Sequence, residues 1–91
     1  MNIGAQVWIP CKISEGMFSN EYAVEISQPS GDVLSLYVDK SLVRVSGDKG
    51  ELLVSVVDNG FKGGERTVLL PTESLEGPRW ARLPERDLVT A

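Results

Sequence analysis

Few residues in this 91-residue sequence have side chains that commonly carry catalysis. There is no histidine, which excludes Ser-His-Asp and Cys-His catalysis and every His-ligated metal site. Cys11 is the only cysteine, so neither a Cys-only zinc site nor an intramolecular disulfide can form. It shares a strand face with Val7 and Ile9 and has no basic neighbour, which predicts an inert thiol. The sequence therefore predicts no catalytic residue, no metal and no cofactor.

Two further segments contain residues that bind anions in other proteins. Asn59 to Gly64 is rich in glycine, but a phosphate-binding P-loop needs Gly-Lys-Ser/Thr at the start of a helix, so a hairpin loop is the better interpretation. Basic and acidic residues are interspersed near the end of the chain, namely Arg79, Arg82 and Arg86 with Glu76, Glu85 and Asp87. This mixture favours a solvated surface over a basic binding patch.

Aromatic residues are the stronger candidates for binding. Trp8 lies on the strand face opposite Val7 and Ile9, and Trp80 follows Arg79, so each is either exposed at a ligand or subunit contact or packed under a loop. The predicted binding residues are Trp8, Phe18, Tyr37 and Trp80.

Phe18 and Met17 are large apolar residues in a loop, Gly16 to Asn20, where polar residues are usual. They either plug the end of the fold or form a contact patch. The plug is favoured, because Phe61 has a similar place later in the chain.

The composition predicts one globular domain spanning residues 1–91. Apolar residues make up 42% of the chain and charged residues 24%, which is a globular balance. A net charge of −4, spread over both halves, argues against nucleic acid as a partner. No stretch approaches the roughly 20 apolar residues that span a bilayer, and together with the lone cysteine this predicts a cytoplasmic protein without membrane contact.

Alternating apolar residues predict strands throughout, and no segment has the period of a regular helix. The first strand includes Val7 to Ile13, and Pro10 predicts that this strand lies at a sheet edge or is bulged. Strands at 22–27 and 33–38 should pair as a hairpin, and others are predicted at 52–57, 67–70 and 79–83. Residues 71–78 are predicted to form a long loop that holds one helical turn from Thr72.

A weak repeat relates the two halves of the chain. At a spacing of 44 residues, Ile13 matches Val57, Val24 matches Val68 and Ile26 matches Leu70. After two extra residues in the second half, the segment 39–43 matches 85–89. The interpretation is either a duplication, with units of about 1–46 and 47–91 sharing one core, or chance agreement in a valine-rich sequence.

The order of strand, loop, hairpin, single turn and closing strand resembles an SH3-like barrel. Residues 22–45 also resemble type II, plasmid-borne dihydrofolate reductases, through Tyr22-Ala23-Val24-Glu25, Gly31, Val33, Tyr37, Leu42 and Arg44. That family uses a Val-Gln-Ile-Tyr strand and a lysine. Here the strand has no glutamine, and Lys12 is the one counterpart of the lysine. The resemblance implies an all-β SH3-like barrel and a gene of the mobile-cassette kind, without the reductase activity.

The sequence as a whole predicts a non-enzymatic protein that binds another protein or itself. A homodimer through the edge of the first strand, with Trp8 at the contact, follows from the position of Pro10. One alternative is a small-molecule-binding protein or enzyme assembled at a subunit interface, as in the type II reductases. Another is a small inhibitor or immunity protein.

Overall fold

The computed structural model describes residues 3–47, 49–58, 64–75 and 77–91, and in them the chain is all-β, as predicted. The eight strands are β1 (Gln6–Glu15), β2 (Glu21–Ser27), β3 (Val33–Asp39), β4 (Val43–Ser46), β5 (Lys49–Val56), β6 (Glu65–Leu69), β7 (Trp80–Pro84) and β8 (Val89–Thr90). Two single 3₁₀ turns, Lys40–Leu42 and Glu85–Asp87, precede β4 and β8. These described ranges hold no helix with the length and apolar character that crossing a membrane requires.

The strands form one antiparallel sheet that curls into a nearly closed barrel. Its order is β3-β2-β1-β5-β6-β7, with β4 added on β5 and β8 added on β1. Alternate side chains point inward and make one apolar core, which consists of Val7, Ile9, Val24, Ile26, Leu34, Leu36, Val38, Val43, Leu52, Val54, Val56, Val68, Leu70, Ala81, Leu83 and Leu88. β3 and β7 are the two edges that face each other where the barrel does not close.

The predicted hairpin of β2 and β3 is confirmed. Val24 pairs with Leu36 and Ile26 with Leu34, so both strands direct these side chains into the core. The connecting turn needs Gly31, whose φ of 97° lies in the left-handed region that other residues avoid. Hydrogen bonds from Gln28 N to Asp32 O (3.0 Å) and from Gly31 N to Gln28 O (2.9 Å) close the turn.

β1 is an interior strand, so the prediction that Pro10 marks an edge is wrong. β1 pairs with β5 along Gln6 to Cys11, and on its other side it pairs with β2 from Lys12 onward and with β8 at Val7 and Trp8. The Gln6 carbonyl accepts a hydrogen bond from Ala91 N of the C-terminal segment, so the backbone groups of Gln6 face the side of β1 on which β8 and β2 lie. Every second residue of a strand faces the same neighbour, so the nitrogen of Pro10 faces that side as well. Pro10 therefore lies in the gap between β2 and β8, where an N–H is not needed.

Two loop predictions are also wrong. Residues 71–75 and 77–79 form bends without the helical turn expected from Thr72. Phe18 and Met17 do not plug the barrel, because 66% of Phe18 and 73% of Met17 is exposed. The inward-facing side chains of the strands already fill the core. Phe61, the supposed counterpart of Phe18, lies outside the described residues.

The arrangement of strands repeats in the two halves of the chain. Unit one, residues 1–46, contains three strands, one 3₁₀ turn and the short strand β4, and unit two, residues 47–91, contains the same series ending in β8. The pairings repeat as well, since β1–β2 and β2–β3 correspond to β5–β6 and β6–β7. β4 pairs with the first strand of unit two, just as β8 pairs with the first strand of unit one.

The registers relate the units at a spacing of 43 residues for β1 and β5, 44 for β2 and β6, and 45 for β3 and β7. Corresponding buried residues are Ile9 and Leu52, Val24 and Val68, Ile26 and Leu70, Leu36 and Ala81, Val38 and Leu83, and Val43 and Leu88. The predicted pairing of Ile13 with Val57 is therefore off by one residue, and Glu85 corresponds to Lys40 rather than Asp39. Descent from a duplicated sequence stays a prediction.

Candidate functional site

The open seam between β3 and β7 holds two adjoining cavities. A groove of about 520 Å³ lies over it, and a second cavity of about 370 Å³ continues it along β3. We call the two together the seam groove. Its lining residues are Gln28, Ser30, Asp32, Val33, Leu34, Ser35, Ser74, Leu75, Gly77, Pro78, Trp80 and Arg82.

Exposed apolar side chains surround the seam groove. Trp80 on β7 is 49% exposed, and Val33 on β3 and Leu75 in the loop between β6 and β7 are more exposed still. Large apolar side chains gathered around a concave surface mark sites of contact with other molecules more often than scattered ones do. The groove therefore offers an apolar contact surface with polar groups at its margin.

The backbone of β7 turns hydrogen-bonding groups toward the seam. Leu70 N donates to Arg79 O (2.8 Å) and Glu85 N donates to Gly64 O (2.7 Å), so the odd-numbered residues of β7 bond toward β6. By the alternation of an antiparallel ladder, the N–H and C=O groups of Trp80 and Arg82 face the seam. Pro84 has the same orientation but no N–H to donate. The usable part of this edge is therefore two residues long.

The described residues include two hydrogen bonds that cross the seam. Leu75 N donates to Ser35 O on β3 (2.7 Å), which ties the loop after β6 to the opposite edge. The backbone N–H of Arg82 donates to the side-chain oxygen Oε1 of Gln28 (2.9 Å). A carboxamide thus occupies the place where a neighbouring strand would present its carbonyl. Ser74 Oγ donates to Pro78 O (2.7 Å) and holds the loop closed beneath the groove.

Of the four predicted binding residues, only Trp80 lines the seam groove. Trp8 is half-buried on the outer face of β1, where the Arg44 guanidinium lies 4.5 Å from the centre of its ring. Arg44 Nε also donates to Glu51 Oε1 (2.7 Å), so Trp8 is covered by a side chain that is itself held in place. Phe18 is exposed at the loop between β1 and β2, and Tyr37 is half-buried on the outer face of β3. The structure does not bring the four together.

The sequence reasoning missed Gln28, Val33 and Leu75 as groove residues. The sequence does indicate the orientation of Val33. Leu34, Leu36 and Val38 occupy every second position and face the core, so Val33, next to Leu34, must face outward. The sequence gives no such indication for Gln28 and Leu75, since they reach the seam only when β3 and β7 approach each other through the fold.

A cluster of charged groups around the buried Arg66 lies away from the seam groove. Arg66 on β6 is only 3% exposed, and its guanidinium donates to Asp58 Oδ1 from Nε (3.0 Å) and to Glu85 Oε1 from Nη1 (3.1 Å). Asp58 Oδ2 in turn accepts a hydrogen bond from Thr67 N (2.8 Å). Because these groups satisfy one another, the cluster links β5, β6 and the second 3₁₀ turn rather than presenting a reactive group.

Unit one has a more exposed set of side chains at the corresponding place. Tyr22 corresponds to Arg66, Lys40 to Glu85 and Glu15 to Asp58. Lys40 Nζ lies 4.7 Å from the centre of the Tyr22 ring and 3.4 Å from Glu15 Oε2. Both units thus fasten their 3₁₀ turn to the second strand, in one case by a cation over an aromatic ring and in the other by an ion pair.

Cys11 is predicted to react slowly. Burial raises the pKa of its thiol from 9.0 to about 11, and the Glu51 carboxylate adds to the increase. Because the folded chain holds this proton more tightly than the unfolded chain, we expect stability to fall as the pH rises from 9 through about 11. At pH 8 we expect iodoacetamide to alkylate the folded protein about 100-fold more slowly than the urea-unfolded protein, since the thiolate is the nucleophile. Equal alkylation rates for the folded and unfolded protein would show that the fold neither buries the Cys11 thiol nor raises its pKa.

No known protein family, no curated protein and no solved structure matches this chain. The resemblance to the type II reductases therefore stays a prediction. Within the described residues no three or more acidic or cysteine side chains gather in a way that could hold a metal ion.

Proposed function

We propose that the protein is a binding module that takes up an extended segment of a partner polypeptide in the seam groove. The apolar side chains of Trp80, Val33 and Leu75 supply contact area, and the edge of β7 supplies backbone hydrogen bonds. In an extended ligand every second side chain points the same way, so alternating apolar residues would lie against Trp80 and Val33. This kind of recognition adds a strand to an exposed sheet edge.

The observation that supports this proposal most directly is the hydrogen bond from Arg82 N to Gln28 Oε1. The carboxamide of glutamine presents the same kind of amide carbonyl as a peptide bond, and here it accepts a hydrogen bond from an edge N–H of β7. A ligand carbonyl would take its place, and the half-buried Gln28 side chain would turn aside into solvent. The exchange replaces one hydrogen bond with another, so it lowers the net gain from the ligand carbonyl by about 1 kcal/mol.

We expect this competition to give two groove variants opposite effects on binding. Peptides selected from a random display library on the wild-type protein serve as the probe, and isothermal titration measures their affinity. Trp80→Ala should weaken binding about 30-fold, as loss of a central aromatic contact costs about 2 kcal/mol. Gln28→Ala should strengthen it about 3- to 10-fold, because the ligand no longer displaces a hydrogen-bonded side chain.

The matched control is Val45→Ala, which removes a comparably exposed apolar side chain from β4, outside the seam groove. Its affinity should equal that of the wild type. The proposal is wrong if the selected peptides bind Trp80→Ala and wild type equally, or if Gln28→Ala weakens binding as much as Trp80→Ala does. Thermal unfolding of each variant separates lost binding from lost structure.

A further inference from the structure

The two units are joined by a single tight turn. Ser46 at the end of β4 pairs with Lys49 at the start of β5, and the chain passes from unit one to unit two only here. Gly47 in this turn has a φ of 67°, in the left-handed region. A residue with a Cβ is strained in that conformation, so the turn depends on glycine.

The contacts that hold the units together are strand pairings and the shared core rather than the turn itself. β1 pairs with β5 along Gln6 to Cys11, β4 pairs with β5, and β8 pairs with β1. Each of these ladders joins one unit to the other, and the buried side chains of both units form one core. Within the described ranges neither unit closes on itself, because the last strand of each unit pairs with the first strand of the other.

We propose that the turn between β4 and β5 is a hinge at which two copies of the chain exchange units. When β4 and β5 straighten into one continuous strand, unit one of each copy meets unit two of the other. Two barrels then form from two chains, each with the ladders β1–β5, β4–β5 and β8–β1 in the registers of the single chain. Only the turn is lost, and such an exchange is a low-cost route to a dimer. The partner is thus a second copy of this chain.

Full-length chains that each carry one damaged unit test the proposal. Val24→Asp places a charge in the core of unit one and Val68→Asp does so in unit two, at corresponding buried positions. Each variant alone should be unfolded. An equimolar mixture, refolded together from urea, should recover about half of the native near-ultraviolet circular dichroism, because every two chains can build one intact barrel. Light scattering should show this folded fraction to be dimeric.

The control is a mixture of Val24→Asp with Leu36→Asp. Leu36 is also buried in unit one, so this mixture contains no intact unit one and should stay unfolded. If the first mixture gives only the unfolded signals of its components, or if both mixtures recover equally, the proposal is overturned.

A second pair of variants measures the hinge in an otherwise intact chain. Gly47→Val strains the turn between the units, and Gly31→Val strains a turn within unit one. Both glycines have positive φ, and at neither would a new Cβ meet another atom within 4 Å. We expect Gly47→Val to shift the protein from monomer toward dimer and Gly31→Val to be less stable without dimerising. Equal oligomeric states for the two variants and the wild type would contradict the proposal.

Discussion

Replacing Arg66 with methionine will lower the free energy of unfolding by about 3 to 5 kcal/mol. The substitution removes the cation that pairs with the largely buried Asp58 carboxylate, and a buried charge that loses its partner is strongly destabilising. Methionine fills a similar volume, so the loss reports the missing charge and hydrogen bonds rather than a cavity. Urea titration followed by circular dichroism measures the change, and an unaltered slope of the titration would show that the unfolded state is unaffected.

Arg44→Met is the matched control for this prediction. Arg44 also pairs with a carboxylate, that of Glu51, but this pair lies at the surface with Arg44 exposed and Glu51 half-buried, and surface pairs contribute about 1 kcal/mol or less. Combining Arg66→Met with Asp58→Asn should recover part of the stability lost in the single variant. If Arg66→Met proves as stable as Arg44→Met, the buried cluster does not hold β5, β6 and the 3₁₀ turn together.

Aspartate at Val24 or Val68 should unfold the whole protein. Val24 is 1% exposed and Val68 is fully buried, so either substitution buries an unpaired carboxylate at a cost of several kcal/mol. That is comparable with the entire stability of a small domain. Circular dichroism and size-exclusion chromatography should show an unfolded chain in both cases.

Val45→Asp is the corresponding control, because Val45 on β4 is exposed and a charge there stays in water. It should remain folded. Because the two units share one core, we expect an aspartate in the core of one unit to unfold the other unit as well. A Val68→Asp protein that keeps the native signals of β1, β2 and β3 would show that the two units fold separately.

The sequence predicted the strands well because alternation of apolar residues reports directly which side chains face inward. The same reasoning applied to β6 would have found Arg66, which has the parity of Val68 and Leu70 and therefore had to point into the barrel. Pro10 misled the prediction for a physical reason. A missing N–H shows that one side of one residue is unpaired, and here that side is the gap between two partner strands.

The seam groove could be predicted only in part. Trp80 was found because a large aromatic residue among arginines stands out in the sequence. Gln28 and Arg82 are 54 residues apart, and nothing local to either residue indicates that they meet. Their contact depends on how far the sheet curls, which is decided by the packing of the whole core. The exposure of Phe18 and Met17 could not be predicted either, because apolar residues in a loop are compatible with both a plug and a contact patch.

The pairing of β8 with β1 has a consequence for how fast the barrel forms. Val7 and Thr90 are neighbours in the sheet although they lie about 80 residues apart in the chain. The other side of β1 pairs with β5, which is also distant in the sequence. Closing such long loops loses chain entropy before many contacts compensate for it. Small β proteins with pairings this distant fold in milliseconds to seconds rather than microseconds. Until β8 pairs with β1, backbone hydrogen-bonding groups on one side of β1 have no strand partner. During this interval a folding chain can pair β1 with a strand of another chain.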